Sequence, residues 1–175
     1  MKTKSVKIDL SKFELLETGE FTCYANVFEF VDQANDSTVP GCFIESIAYH
    51  AELGTMPKFC FNHDDNLILG KWLEWDEDEN GLLMKGQFNL ETPLGLEKYH
   101  NVKNGDLSEF SIQYATIDED EILGVNYLKC LHVVEVSLVT FPCNEASLLI
   151  DVKSKSQKPD IKSFNEGLRL ILFRI

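Results

Sequence analysis

The stretch ILGVNYLKCLHVVEVSLVTF, residues 122–141, decides the fold. It reads as one long β-strand or two shorter ones, and Pro142 ends it, since proline cannot donate to a strand ladder. Upstream, EFSIQYATI (109–117) reads as a further strand, with a turn near residues 118–120. Before it, Thr92-Pro93 is a good helix start: a hydroxyl to cap the first amides, then a proline at the first helical position. That helix runs to about Asn104 and stops at Gly105, a left-handed terminator. KFCFN (58–62), ILGKWLEW (68–75) and GLLMKGQF (81–88) read as three strands, the last two joined by the acidic turn DEDENG. In CFIESIAYHA (42–51), Phe43, Ile47 and Ala51 share one helical face beside Ile44 and Ala48. DQANDST (32–38) is a polar loop. In EFTCYANVFEF (20–30), Phe21, Cys23, Ala25 and Val27 alternate with polar or ring-bearing neighbours, which is strand periodicity. Residues 1–18 form a weakly patterned lead-in or first strand.

Strands and helices do not alternate regularly, so a doubly wound sheet, which needs more helices, ranks low. The expected fold is mainly β with flanking helices (α+β). Its form is a closed or nearly closed, mostly antiparallel β-barrel of six to seven strands with two or three peripheral helices. At 175 residues the chain holds one domain with a real core. We divide it into a barrel domain, 1–151, and a tail, 152–175, made of the linker-like VKSKSQKPD and the amphipathic, possible helix SFNEGLRLILFRI.

Charge is uneven. Residues 152–175 carry six basic side chains against Asp160 and Glu166, a local net of +4, so the formal total of −13 puts −17 on residues 1–151. So acidic a body repels phosphate, which argues against nucleic-acid binding. The five cysteines are odd in number and form no C-x-x-C pair, which argues against a disulfide framework or cysteine zinc site and fits a reducing compartment. No basic-then-apolar leader opens the chain, and no apolar run reaches the roughly 18 residues of a membrane span. The expected setting is cytoplasmic, away from membranes.

Three segments offer chemistry: FNHD around His63, EFSIQY around Ser111 and VVEVSLVTFPCN around Glu135. A serine hydroxyl is a weak nucleophile at neutral pH and needs a base, which in turn needs an orienting group. Serine, histidine and a carboxylate supply those roles if the sheet curls enough to bring them together. By pattern alone, Ser111 between Phe110 and Ile112 also reads as a solvent-facing serine, and His63 as structural. Ser137 shares a strand face with Glu135 and is a decoy for the nucleophile. Cys60-x-x-His63 invites a cysteine-hydrolase or metal reading, but strand positions three apart face opposite sides. Asp32 and Asp36 resemble calcium ligands, although turn chemistry explains them more simply. Trp72 and Trp75 read as core and edge packing, and His50, His100 and His132 as surface or core residues. No cofactor or metal is called for.

The order Y-A-N-V-F, V-D-x(6)-V-P-G-x-F, F-N-H-D, L-G-K-W with D-E-D-E-N-G-L, T-P-L-G, F-S-I-Q-Y and V-E-V-S-L-V-T-F-P-C-N resembles the prohead maturation serine proteases of tailed phages. That family is related in fold to the herpesvirus assemblins, and the likeness covers roughly residues 20–150. It implies Ser111 as nucleophile, His63 as general base and Glu135 as the group that orients the histidine. It implies a serine endopeptidase that cuts scaffold and major capsid protein segments, and itself, inside the immature head. A homo-oligomer, a dimer, accompanies activity in such proteins. Cys23, Glu109 and Gln113 stand where relatives usually carry glycine. Those departures keep open an alternative, a catalytically decayed structural or scaffold-associated relative acting in capsid assembly. Self-cleavage is expected in VKSKSQKPD, an exposed-looking linker.

Overall fold

A computed structural model describes residues 17–150, with side-chain environments from 17 to 147. The tail at 152–175 and most of the lead-in lie outside the described residues. The elements in order are β1 (Glu20–Val27), β2 (Asp36–Thr38), α1 (Ile44–Leu53), β3 (Lys58–Phe61), β4 (Asp64–Glu77), β5 (Gly81–Phe88), α2 (Pro93–Asn104), β6 (Glu109–Ile122), β7 (Val125–Val139) and β8 (Leu148–Ile150). One sheet takes the order β2-β7-β3-β4-β5-β1-β8-β6, and β6 also pairs with β7.

The expected closed or nearly closed, mostly antiparallel barrel is corrected by this topology. The molecule is mainly β with two helices among the described residues, but its sheet is mixed and curls into an open half-barrel. β2 and β3 both run parallel to β7. The gap between β1 and β6 is bridged only by the three-residue β8, which meets β6 at Glu109↔Leu148. Among the described residues eight strands replace six or seven, because two three-residue strands, β2 and β8, are not read as strands from the sequence.

Local chemistry explains the well-placed elements. Thr92 Oγ1 accepts the Gly95 amide at 3.2 Å, Pro93 opens α2, and Gly105 ends it at φ 81°. The start of α1 has no cap of its own. Glu77 of β4 serves instead, its carboxylate accepting the amides of Gly41 (2.5 Å) and Phe43 (2.9 Å).

The inward face of α1 matches the expected apolar one only in part: Phe43 is buried and Ile47 packs on the core. Ile44, Ala48 and Ala51 are exposed, while Ser46 and His50 are buried. The reason lies in β7. Val133 pairs with Tyr114 in the β6–β7 register, and β3 reaches only residues 135–138 of β7. The uncovered edge is met by α1: the Val133 amide donates to Ser46 Oγ at 3.0 Å, and His50 Nε2 lies 3.0 Å from the Val133 carbonyl. Thr55 Oγ1 holds the other ring nitrogen of His50 at 2.8 Å, so this histidine is structural. Helical side chains here complete a strand edge that would otherwise leave polar backbone groups buried and unpaired.

The floor of the curl is aromatic. Phe21, Phe59, Trp72, Phe88 and Phe110 form one buried cluster, with Phe59 and Trp72 centroids 4.7 Å apart and Phe21 stacked on Phe110 at 5.5 Å. Gly86 makes room for it, since a Cβ there would sit 2.5 Å from Phe21 Cζ and 2.8 Å from Trp72. Trp75 packs, partly buried, against the same core, as expected for an edge residue. The turn expected near residues 118–120 is also corrected: β6 continues through them to Ile122, and the chain reverses at Leu123-Gly124 (φ 55° and 80°). That outer part of β6 is exposed, so no buried face marks where it stops.

Candidate active site

His63 sits on a tight turn and not on a strand. β3 and β4 are joined by Asn62 and His63, both with positive φ (52° and 59°), and Phe61 pairs with Asp64 across them. Two consecutive left-handed residues make the turn whose twist suits a two-residue hairpin. Asn and His are among the non-glycine residues that tolerate this conformation best. The tip is then fastened to β7. The Asn62 amide donates to the Leu138 carbonyl at 3.0 Å, and the Thr140 amide donates to Asn62 Oδ1 at 2.9 Å. The His63 amide donates to Ser137 Oγ at 3.1 Å.

This anchoring carries the imidazole to the buried carboxylate of Glu135, which is only 6% exposed. His63 Nδ1 lies 2.7 Å from Glu135 Oε2. An ionised carboxylate only accepts, so Nδ1 carries the proton and Nε2 is left as the lone-pair nitrogen. The histidine side chain remains 35% exposed, so the ring is held at its base and open at its edge. Ser137, fully buried, donates its hydroxyl to the second oxygen, Glu135 Oε1.

Ser111 stands directly across β6–β7 from Ser137, and Gln113 stands across from Glu135. Cross-strand partners share a face with Cβ atoms about 4.5–5.5 Å apart, so Ser111, Ser137 and Glu135 lie on the side where His63 arrives. Ser111 and His63 line one cleft of about 240 Å³, with Asp32, Asp36, Tyr114 and Asn144 among its walls. Among the described residues the Ser111 hydroxyl has no hydrogen-bond partner, so the direct contact in this site is the histidine–carboxylate pair. Nucleophile–base bonds commonly tighten only when substrate is bound.

The other candidates fall elsewhere. Cys60 is fully buried in β3, and burial, aided by the Glu135 charge, pushes its thiol up to about 11. A thiol so strongly protonated is a poor nucleophile at neutral pH. Asp32 works as a turn residue, its Oδ1 accepting the amides of Ala34 (2.8 Å) and Asp36 (2.9 Å). Asp36 accepts the Tyr114 hydroxyl at 2.9 Å and the Asn126 side-chain Nδ2 at 2.9 Å. Burial and then this Asp36 bond raise the Tyr114 phenol well above its ordinary range. The Asn144 side chain is engaged with the Val27 carbonyl and the Ala146 amide. Ser137, read from sequence as a decoy, is the residue whose part in the site sequence reasoning missed. The available signal was its i+2 spacing from Glu135, which places both on one strand face.

A histidine held through Nδ1 by a buried carboxylate, sharing a cleft with a largely buried serine, is an arrangement of serine hydrolases. The model of one family, described as Caudovirus prohead serine protease, matches residues 6–160. This chain belongs to that family. It is 28% identical over 155 residues to the prohead protease of Enterobacteria phage HK97, covering 86% of this chain and 68% of that protein. It is 32% identical over 100 residues to the prohead protease of Escherichia phage T5, covering 56% of this chain and 47% of that one. The prohead-protease membership sets its activity as serine proteolysis in phage head maturation, and no observation favours the decayed structural alternative. Among the described residues no helix is long and apolar enough to cross a membrane.

Proposed function

We propose that Ser111, His63 and Glu135 form the catalytic set of this prohead protease. The observation that carries the reading is the 2.7 Å bond from His63 Nδ1 to buried Glu135 in the cleft that Ser111 shares. Glu135 fixes the imidazole tautomer and stabilises the imidazolium. His63 Nε2 takes the Ser111 hydroxyl proton as Oγ adds to the scissile carbonyl carbon, then gives that proton to the departing amine. Water repeats the sequence on the acyl-enzyme, releasing the acid and restoring the serine. Backbone amides near Asn144, which lines the cleft, are the proposed donors to the tetrahedral oxyanion; losing one such donor slows turnover by roughly 100- to 1000-fold.

The substrates in this reading are segments of the major capsid protein and scaffold inside the immature head, in the host cytoplasm. The protease works as a homo-oligomer, a dimer, and cuts itself between the barrel domain (1–151) and the tail (152–175), in VKSKSQKPD. Family membership and the linker composition of that segment support these assignments. Co-expression with the capsid protein of the same phage tests them. Intact masses should show a shortened capsid protein and loss of a C-terminal fragment of this chain, both abolished by Ser111→Ala. Unshortened capsid protein beside the wild-type chain would remove the substrate assignment.

A further inference from the structure

We infer that Ser137 is a positioning residue of the catalytic site: one buried hydroxyl sets both the carboxylate and the backbone that hold the His63 imidazole. The inference rests on the catalytic reading of His63 and Glu135 given above.

A serine hydroxyl has one proton to donate and lone pairs to accept with. Ser137 uses both on the same device. Its proton goes to Glu135 Oε1, and its oxygen accepts the His63 amide at 3.1 Å. Glu135 has several rotatable bonds, and its other oxygen alone would not settle where the carboxylate lies. With Oε1 tied to a residue two places along the same strand, Oε2 is the oxygen left to face His63 Nδ1 at 2.7 Å. The second bond acts at the opposite end of the histidine. His63 holds φ 59°, a conformation costly for most side chains, and its amide is secured by Ser137. Base and orienting group are therefore referred to one fixed atom. That atom is fully buried, so water cannot replace either bond. Ser137 itself cannot be the nucleophile, because its hydroxyl is enclosed and already bonded to the carboxylate. Ser111, its cross-strand neighbour, faces the cleft instead.

If Ser137 acts through Glu135, its removal should matter only while Glu135 is present. The test uses the full chain and a fluorophosphonate, whose fluoride is displaced from phosphorus by the attacking serine oxygen. Inactivation rate and probe affinity are measured separately by intact mass. Ser137→Ala should slow the maximal labelling rate by roughly 10- to 100-fold, the range for partners that orient a site group through a second bond, with probe affinity unchanged. In a Glu135→Ala background the same change should slow labelling less than threefold, because effects of residues acting as a unit are not additive. Ser137→Cys keeps a buried side chain of similar size but is a weak donor and acceptor; it should reproduce the slowing even where Ser137→Ala folds poorly. Wild-type labelling rates in Ser137→Ala, or an undiminished effect on the Glu135→Ala background, would overturn the inference. Should Ser111→Ala and His63→Ala also label normally, the catalytic reading itself falls. Should they abolish labelling while Ser137→Ala does not, only the role of Ser137 falls.

Discussion

Two hairpins in this molecule turn on the same backbone device and put it to different use. Asn62-His63 and Leu123-Gly124 are each two-residue turns with both φ values positive. The first is tied to β7 through backbone and side-chain bonds and delivers an imidazole to a buried carboxylate. The second ends the outer ribbon of β6 and β7, whose β6 strand is exposed, with Leu123 fully exposed at its tip. Turn geometry alone therefore confers nothing; what matters is whether the rest of the sheet grips the tip.

The contrast can be broken from the chemical end first. His63→Ala should lower turnover by up to about a millionfold, as loss of a base does in serine proteases, whereas Leu123→Ala should leave it unchanged; hydrolysis of a capsid-derived peptide reads both. Glu135→Gln keeps the shape but removes the charge and scrambles the imidazole tautomer, and should cost about 10⁴-fold in turnover with little change in KM. A loss as small as tenfold would mean that the 2.7 Å bond to Nδ1 is structural.

Smaller effects sharpen the comparison through stability. Asn62→Ala removes the bond to the Thr140 amide and puts alanine in a left-handed position, so unfolding in urea should show a loss of about 2–3 kcal/mol. Asn62→Gly, which tolerates that φ, should lose only about 1 kcal/mol, the share belonging to the bond. At the free tip the sign reverses. Leu123→Asn relieves a leucine held at φ 55° and should raise stability by about 1 kcal/mol, a Tm gain of about 3 °C by calorimetry, with activity intact.

The two tips also show what could be read from sequence. Thr92-Pro93 and Gly105 announced α2 because its ends are set by local hydrogen bonding and by glycine's freedom at φ 81°. The alternation from Phe21 to Val27 announced β1 because one face is buried. β2 gave no sign, since three polar residues become a strand only by lying parallel to β7, far away in sequence. The parallel pairing of β3 with β7 is equally non-local, and with β2 it makes mixed a sheet expected to be a closed or nearly closed, mostly antiparallel barrel. FNHD showed a reactive residue type but not its turn, because Asn-His tolerates the left-handed region without signalling it as Asn-Gly would. At the site, motif order named His63, Ser111 and Glu135. For Ser137 the i+2 spacing gave only a face shared with Glu135; its bonds to a particular amide and a particular carboxylate oxygen depend on the distant His63 turn and were not legible.

The catalytic assignment turns on which oxygen becomes the nucleophile. Fluorophosphonate adducts on the full chain, located by peptide mapping, test this directly. The adduct should lie on Ser111 in wild type and vanish in His63→Ala. An adduct on Ser137, or one on Ser111 that forms at full rate without His63, would contradict it.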